Sequence, residues 1–387
     1  MYGDQERIRC VFMRGGTSRG AFLLENDLPR DPLIRDQVIL AIYGSPDPRQ
    51  INGIGGRDSL TSKVAIVGPS SRPDADVDYT FGQVRVNEPV IDYTGACGNM
   101  AAGIGPFAID EGLVRAVEPV TQVRIYHTNI DTVITAQVPV RDGRAVVMGD
   151  CAIDGVPGTG ARIMLDFGDC SGSVTGKLLP TGHPRDQVQV DGLSLTVSLV
   201  DAANPAIFVR ARDVGLKGTE TPAQINNNRE ILDILEKIRS LAAEMLGFVA
   251  DRRDATRLSP AIPKIAFVSP PQDYTSTDGR AISRHQVNLV SRIMSMQTAH
   301  SAYAVTGGIC TAVAARLPGT VVNDVFISGE LESLVSLGHP AGFITFDISL
   351  EPDGKGYQLK RAAIQRTARR IMDGFAYVPK DRFLASV

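Results

Sequence analysis

Two stretches of this chain share one plan. "CGNMAAGIGPFAIDEGLV" (97–114) and "GGICTAVAARLPGTVVN" (307–323) each join glycine and cysteine to an alanine-rich helix, then a turn and a β-branched strand. A helix of such small residues suits a position threaded through a tight sheet. Its second appearance, two hundred residues later, suggests two related halves with a site between them. At 387 residues the chain also exceeds the size at which a single hydrophobic core stops growing.

Around these helices the pattern is mostly that of strands. "IRCVFMRGG" (8–16) reads as a strand ending in a glycine turn, and "SKVAIVG" (62–68) and "VDYTFGQVRV" (77–86) as half-buried strands. "QVRIYHTNIDTVITAQVPV" (122–140) predicts a hairpin around Asn129–Asp131. The glycine-rich stretch 150–186 carries little periodicity and is the expected passage between domains. Beyond it, "LSLTVSLVDAANPAIFVRA" (193–211) and "PKIAFVSPP" (263–271) read as strands. A helix is expected over 221–248, started by Thr221 and Pro222, and an amphipathic helix over 283–300.

Charge and cysteine content exclude several classes. A net charge of −3, with basic residues dispersed, gives no footprint for nucleic acid or an anionic membrane. No apolar run reaches the roughly 18–20 residues that span a bilayer. The N-terminal "MYGDQERIRC" has no signal-peptide core, so a cytoplasmic location is expected. The five cysteines form no C-x-x-C pair and the histidines are dispersed, so reduced thiols and no metal are expected.

Three segments can carry chemistry. "MRGGTSRG" (13–20) can present backbone N–H groups and hydroxyls to a carboxylate or phosphate, although a plain hairpin turn has the same signature. Lys63 stands at the mouth of an apolar strand, where lost solvation would lower its pKa towards that of a general base. A surface lysine snorkelling off a strand end reads identically. Cys97 precedes a helix, whose dipole favours a thiolate and whose free N–H groups can hold a carboxylate. A packed core cysteine remains the alternative. Cys310, behind the bulky Ile309, has a related setting, and His339 lies in the turn "LGHPAG".

In order along the chain, "MRGGTSRG", "GSPD" (45–48), "QINGIGG" (50–56), "TSK" (61–63), "VDYTFGQV" (77–84), "CGN" (97–99), "PTGH" (180–183), "PKIAFVSPP" and "GHPAG" resemble one family. It is that of the 2-methylaconitate cis–trans isomerases and 4-oxalomesaconate isomerases, built on the diaminopimelate epimerase fold. The resemblance implies an α+β fold with two similar domains. Each would be a curved, mostly antiparallel, barrel-like sheet wrapped around a central helix, with the active site in the cleft between them. The domains would span 1–185 and 186–387, with central helices from about 98 and about 309 and the last strand free to return to the first domain. No cofactor or metal is implied, and a homodimer is left open.

The catalytic residues of the family fall on Lys63 and Cys97. The expected substrate-binding set is Arg14, Gly15, Gly16, Thr17, Ser18, Asn52, Ser62, Gly98, Asn99, Met100, Gly307, Gly308, Ile309, Cys310 and His339. Two positions depart from the family pattern: Ala96 stands where Asn usually precedes the cysteine, and Arg19 where the glycine loop usually has Lys. The implied activity is a cofactor-independent 1,3-allylic proton shift on an unsaturated di- or tricarboxylate, with 4-oxalomesaconate expected ahead of 2-methylaconitate. Two other readings stay open. One is a racemase using Cys97 and Cys310 on opposite faces of a stereocentre, and the other a carboxylate-binding protein without catalysis.

Overall fold

The computed structural model describes residues 3–329, 331–354 and 356–384. One pairing scheme runs twice. In the first pass β1 (Gln5–Gly15) pairs antiparallel with β2 (Ser18–Leu24), and α1 (Pro32–Tyr43) leads to β3 (Lys63–Pro69), parallel to β2. Next, β4 (Val77–Val84) returns antiparallel to β3, α2 (Gly98–Asp110) follows, and β5 (Val120–His127) lies parallel to β4 and antiparallel to β6 (Thr132–Arg141). The linking stretch carries β7 (Ile163–Asp166), which pairs with β6.

In the second pass β8 (Asp186–Val190) and β9 (Leu193–Asp201) are antiparallel, and β10 (Pro205–Arg210) continues beside β9. After α3 (Arg229–Met245) comes β11 (Lys264–Ser269), parallel to β10, then β12 (Leu289–Ser295), antiparallel to β11. After α4 (Val305–Arg316), β13 (Leu334–His339) lies parallel to β12 and antiparallel to β14 (Gly342–Asp353). From β9 to β14 the order of pairings repeats that from β1 to β6, with helices inserted at corresponding places. β15 (Gly356–Arg366) then pairs with both β14 and β7, and β16 (Ala368–Pro379) runs along β1.

Small residues let α2 and α4 sit inside this sheet. Every residue of α2 from Gly98 to Ile109 and of α4 from Val305 to Ala315 is buried. A Cβ on Gly103 would lie 2.6 Å from the Phe22 ring, and one on Gly308 would lie 2.3 Å from that of Phe346. Because a Cβ on Gly98 would lie 2.6 Å from Val305, the two helices meet start to start. Among the described residues no helix is long and apolar enough to cross a membrane.

Four expectations are corrected. Residues 283–300 form no helix: a short turn leads into β12, all but the last of whose residues are buried. Ser291 and Arg292, buried by donating to the Phe267 and Glu220 carbonyls, interrupt the apolar run that marks a strand covered on both faces, and the pattern left mimics helical spacing. The helix expected over 221–248 is broken into Pro222–Asn226, capped by Thr221, and α3, capped by Asn228. The segment after α4 folds into turns closed by Thr320, not into a strand. Finally, α4 begins at Val305, four residues before the expected start, with consequences for Cys310 described below.

Candidate active site

Lys63 opens β3, where its register partner on β4 is Gln83. The side chain is 6% exposed, and its ammonium donates to Gln83 Oε1 at 2.5 Å and lies 5.1 Å from the Phe81 ring centroid. Gln83 is fixed in turn by donating to the Ser62 carbonyl at 2.9 Å. Burial lowers the Lys63 pKa, and the neighbouring Cys97 partly opposes that shift. Cys97 is the N-cap residue of α2; its carbonyl accepts from Ala101 N–H at 3.0 Å and from the Tyr79 hydroxyl at 3.3 Å. Lys63 and Cys97 line one cavity of about 30 Å³, together with Ser18, Gly98 and Asn99. Through Gln83, Met296 and His300 this cavity adjoins an outer pocket of about 510 Å³.

The second pass of the fold supplies groups that the motif reading missed. Lys264 opens β11 as Lys63 opens β3, is 8% exposed, and faces the same cavity. Its Nζ donates to the Ala261 carbonyl at 3.3 Å, and burial, with repulsion from Lys63, pushes its pKa down to about 8. The signal was present in the sequence: "SKVAIVGP" (62–69) and "PKIAFVSP" (263–270) are variants of one strand. His300 also lines the cavity, and burial beside the two lysines pushes it down to about 3, so its ring is neutral. Its Nδ1 accepts from Ala302 N–H at 3.0 Å, which leaves the ring proton on Nε2.

Both helix starts are left open to a ligand. Neither Cys97 nor Ala304, the N-cap residues of α2 and α4, provides a side-chain cap, so first-turn N–H groups have no partner among the described residues at the positive end of each dipole. The hydroxyls of Ser18 and Thr306 line the cavity, buried and without a hydrogen-bond partner. Two ammonium groups, two orphan hydroxyls and two helix N-termini thus converge, and among the described residues no carboxylate lines the cavity. Such a cluster matches a small molecule with more than one negative charge.

The remaining expected residues lie elsewhere. Arg14 donates to the Gly16 and Thr367 carbonyls at 2.9 Å each and braces the loop from outside. Gly16 has φ +52°, and a Cβ there would lie 2.1 Å from Asn99 Oδ1; on Gly15 one would lie 2.4 Å from the Asn99 carbonyl. These glycines allow close packing against α2. Thr17 N–H donates to Asn99 Oδ1 at 3.2 Å, but its side chain lines a different cavity, as does His339. Asn52 sits on an exposed loop, and Ser62 lies behind Lys63, bonded to Gln50. Met100 is wholly in the core. Arg19 stacks outside on Phe12, so its replacement of lysine does not reach the cavity.

The earlier start of α4 removes Gly307, Gly308, Ile309 and Cys310 from the cavity wall, and Ala304, Val305 and Thr306 take their place. Cys310 lies in the second turn, fully buried, donating its thiol to the Val200 carbonyl at 3.2 Å. Burial pushes its pKa well up. The position that matches Cys97 in the second half is Ala304, so a thiol lines the cavity from one helix start only, an arrangement that does not fit a two-thiol racemase.

The family described as PrpF protein matches residues 5–379. The 3-methylitaconate isomerase of Eubacterium barkeri is 53% identical over 98% of this chain and 100% of that protein. The 4-oxalomesaconate tautomerase of Pseudomonas putida is 40% identical over 97% of this chain and 98% of its own length. Among solved structures, a methylitaconate-delta-isomerase, 52% identical, superposes with a TM-score of 0.82, covering 99% of this chain and 98% of that one. A hydroxyproline epimerase from Agrobacterium vitis gives a TM-score of 0.56 at 11% identity, covering 97% and 92%, a likeness of the α+β epimerase-type fold alone. This chain belongs to the PrpF protein family and is an enzyme of the isomerase class.

Proposed function

We propose that the enzyme moves a double bond in a small unsaturated dicarboxylate by a 1,3-allylic proton shift, without a cofactor. The observation that supports this best is the meeting of a desolvated lysine and the thiol of the α2 N-cap residue in a cavity that also holds Lys264, two unbonded hydroxyls and two helix N-termini. A desolvated lysine holds its proton less tightly and works as a base nearer neutral pH. Lys63 takes the proton from the carbon between the double bond and a carboxylate. The electron pair spreads over the allylic system and the adjoining carboxylate as a dienolate. Cys97 then gives a proton to the far carbon and recovers one from Lys63, so atoms and charge balance.

The other donors act on charge. Lys264 and the α4 N-terminus hold one carboxylate; Ser18, Thr306 and the α2 N-terminus receive the charge that develops on the other. Fixed donors aimed where charge appears are the strongest rate-raising device available to such a site.

The greater similarity to the 3-methylitaconate isomerase favours a methylitaconate-type substrate over the oxalomesaconate expected from motifs. On 3-methylitaconate the proton would leave the carbon bearing the methyl group and return to the terminal methylene, making it a methyl. Incubation with 3-methylitaconate and with 4-oxalomesaconate in heavy water, followed by proton NMR, tests both. Deuterium at the far carbon, with faster turnover of 3-methylitaconate, is expected. Tight binding of both without any exchange would refute the proton shift.

A further inference from the structure

On the other side of the glycine loop lies a second cavity, of about 500 Å³, walled by Thr17, the 152–154 segment, His339 and parts of β14 and β15. Arg366, the last residue of β15, lines it while only 5% exposed. Its Nη1 donates to the neighbouring Gln365 carbonyl at 3.1 Å, and its Nε has no partner. Among the described residues no carboxylate pairs with it. The two acids lining the cavity are engaged elsewhere: Asp154 with Arg280 at 2.7 Å and Phe343 N–H at 2.7 Å, Asp347 with Arg361 at 3.0 Å.

The remaining polar lining can donate. Thr17 Oγ1 is buried and unbonded. His339 accepts at Nδ1 from Ala341 N–H at 3.2 Å, so its neutral ring carries the proton on Nε2. Burial keeps that ring neutral and pushes the Arg366 guanidinium down to about 9. An unpaired buried cation is expensive to keep, and an arriving anion would offset that cost.

We propose that this cavity is a second binding site, for a small oxyanion of the carboxylate or phosphate type, held by Arg366 and Thr17, whose occupancy acts on the catalytic loop. The connection is short. The carbonyl of Thr367, next to Arg366, accepts Gly16 N–H at 3.0 Å and Arg14 Nη1 at 2.9 Å. Thr17 lines this cavity while the adjacent Ser18 lines the first. Thr17 N–H is also bonded to Asn99, at the start of α2. A ligand drawing on Arg366 and Thr17 therefore pulls directly on the loop that presents Ser18.

Thermal denaturation with malonate or inorganic phosphate as probe tests this in four proteins: wild type, Lys63→Met, Arg366→Met and Ala152→Phe. Ala152 is exposed at the cavity, so a phenylalanine there fills its mouth without entering the core. An anion that binds only the folded state raises the melting temperature with concentration. Wild type and Lys63→Met should both show the rise. Arg366→Met and Ala152→Phe should lose the part of the rise that Lys63→Met keeps, retaining only what the first cavity contributes. A rise with malonate alone identifies a carboxylate, and with phosphate alone a phosphate. Three results would overturn the site: no rise in wild type, an unchanged rise in both cavity variants, or a rise lost in Lys63→Met but kept in Arg366→Met. The Lys63→Met arm keeps this outcome separate from the fate of the proposed catalytic mechanism.

Discussion

Replacing Lys264 with methionine should leave the protein more stable at pH 7 and less active. In the folded state burial pushes this lysine from 10.5 to about 8. A gap of about 2.5 units at 1.36 kcal/mol each is about 3 kcal/mol. Stability rises with pH wherever the unfolded chain holds more protons, here between the folded value of about 8 and the unfolded 10.5. Below pH 8 the destabilisation is complete, and above 10.5 it has gone. Methionine removes it, and losing the hydrogen bond to Ala261 returns about 1 kcal/mol, leaving a net gain of about 2 kcal/mol at pH 7. Urea unfolding followed by circular dichroism at pH 7 and pH 10.5 measures both limits, and the advantage should disappear at the higher pH. Turnover should fall by about 10–100-fold in kcat/KM, as expected when a charged hydrogen bond to substrate is lost. A variant less stable than wild type at pH 7, or one whose advantage is the same at both pH values, would refute a buried cation kept for function.

Lys63→Met should fold and lose about 10²–10⁴-fold in turnover, the usual size of a general-base contribution; NMR in heavy water should show substrate deuteration falling in parallel. A variant with more than a tenth of the wild-type rate would exclude Lys63 as the base. Cys97→Ser should bind substrate and lose at least tenfold in kcat, while iodoacetamide, read by mass spectrometry, should label Cys97 before the more deeply enclosed Cys170 and Cys310, with protection by substrate. Cys310→Ala should keep most of its activity and lose about 1–2 kcal/mol from its core contacts, measured by urea unfolding; a folded but inactive enzyme would restore the two-thiol reading. His127 is buried against Tyr79 with neither ring nitrogen bonded, and burial pushes it from 6.5 to about 3. Its folded pKa is lowered, so stability is lost as pH falls below 6.5, by about 2 kcal/mol at pH 5. His127→Phe should flatten that part of the stability–pH curve, and an unchanged slope would count against it.

The sequence alone determined the two buried helices, because a helix with small or apolar residues on every face has nowhere to lie but inside. It also brought out Lys63 and Cys97, since a lysine heading an apolar strand and a thiol at a helix start are local patterns. The order of motifs pointed to the family for the same reason. Where α4 begins was not legible: Ala304-Val-Thr contains none of the usual capping signal at its first position, and a start near Cys310 fits the local residues as well. Only the packing of Gly98 against Val305 reveals which turn faces the cavity. Only the folded chain decided that residues 289–295 extend as a strand, because burial on both faces erases the alternation that would have marked one. The meeting of Lys264, His300 and Thr306 with Lys63 was likewise a tertiary result. The first three lie two hundred or more residues from Lys63, and they converge through two passes of one strand-pairing scheme and two helices abutting start to start. That convergence rests on long-range strand register and close packing, neither of which leaves a local trace in the sequence.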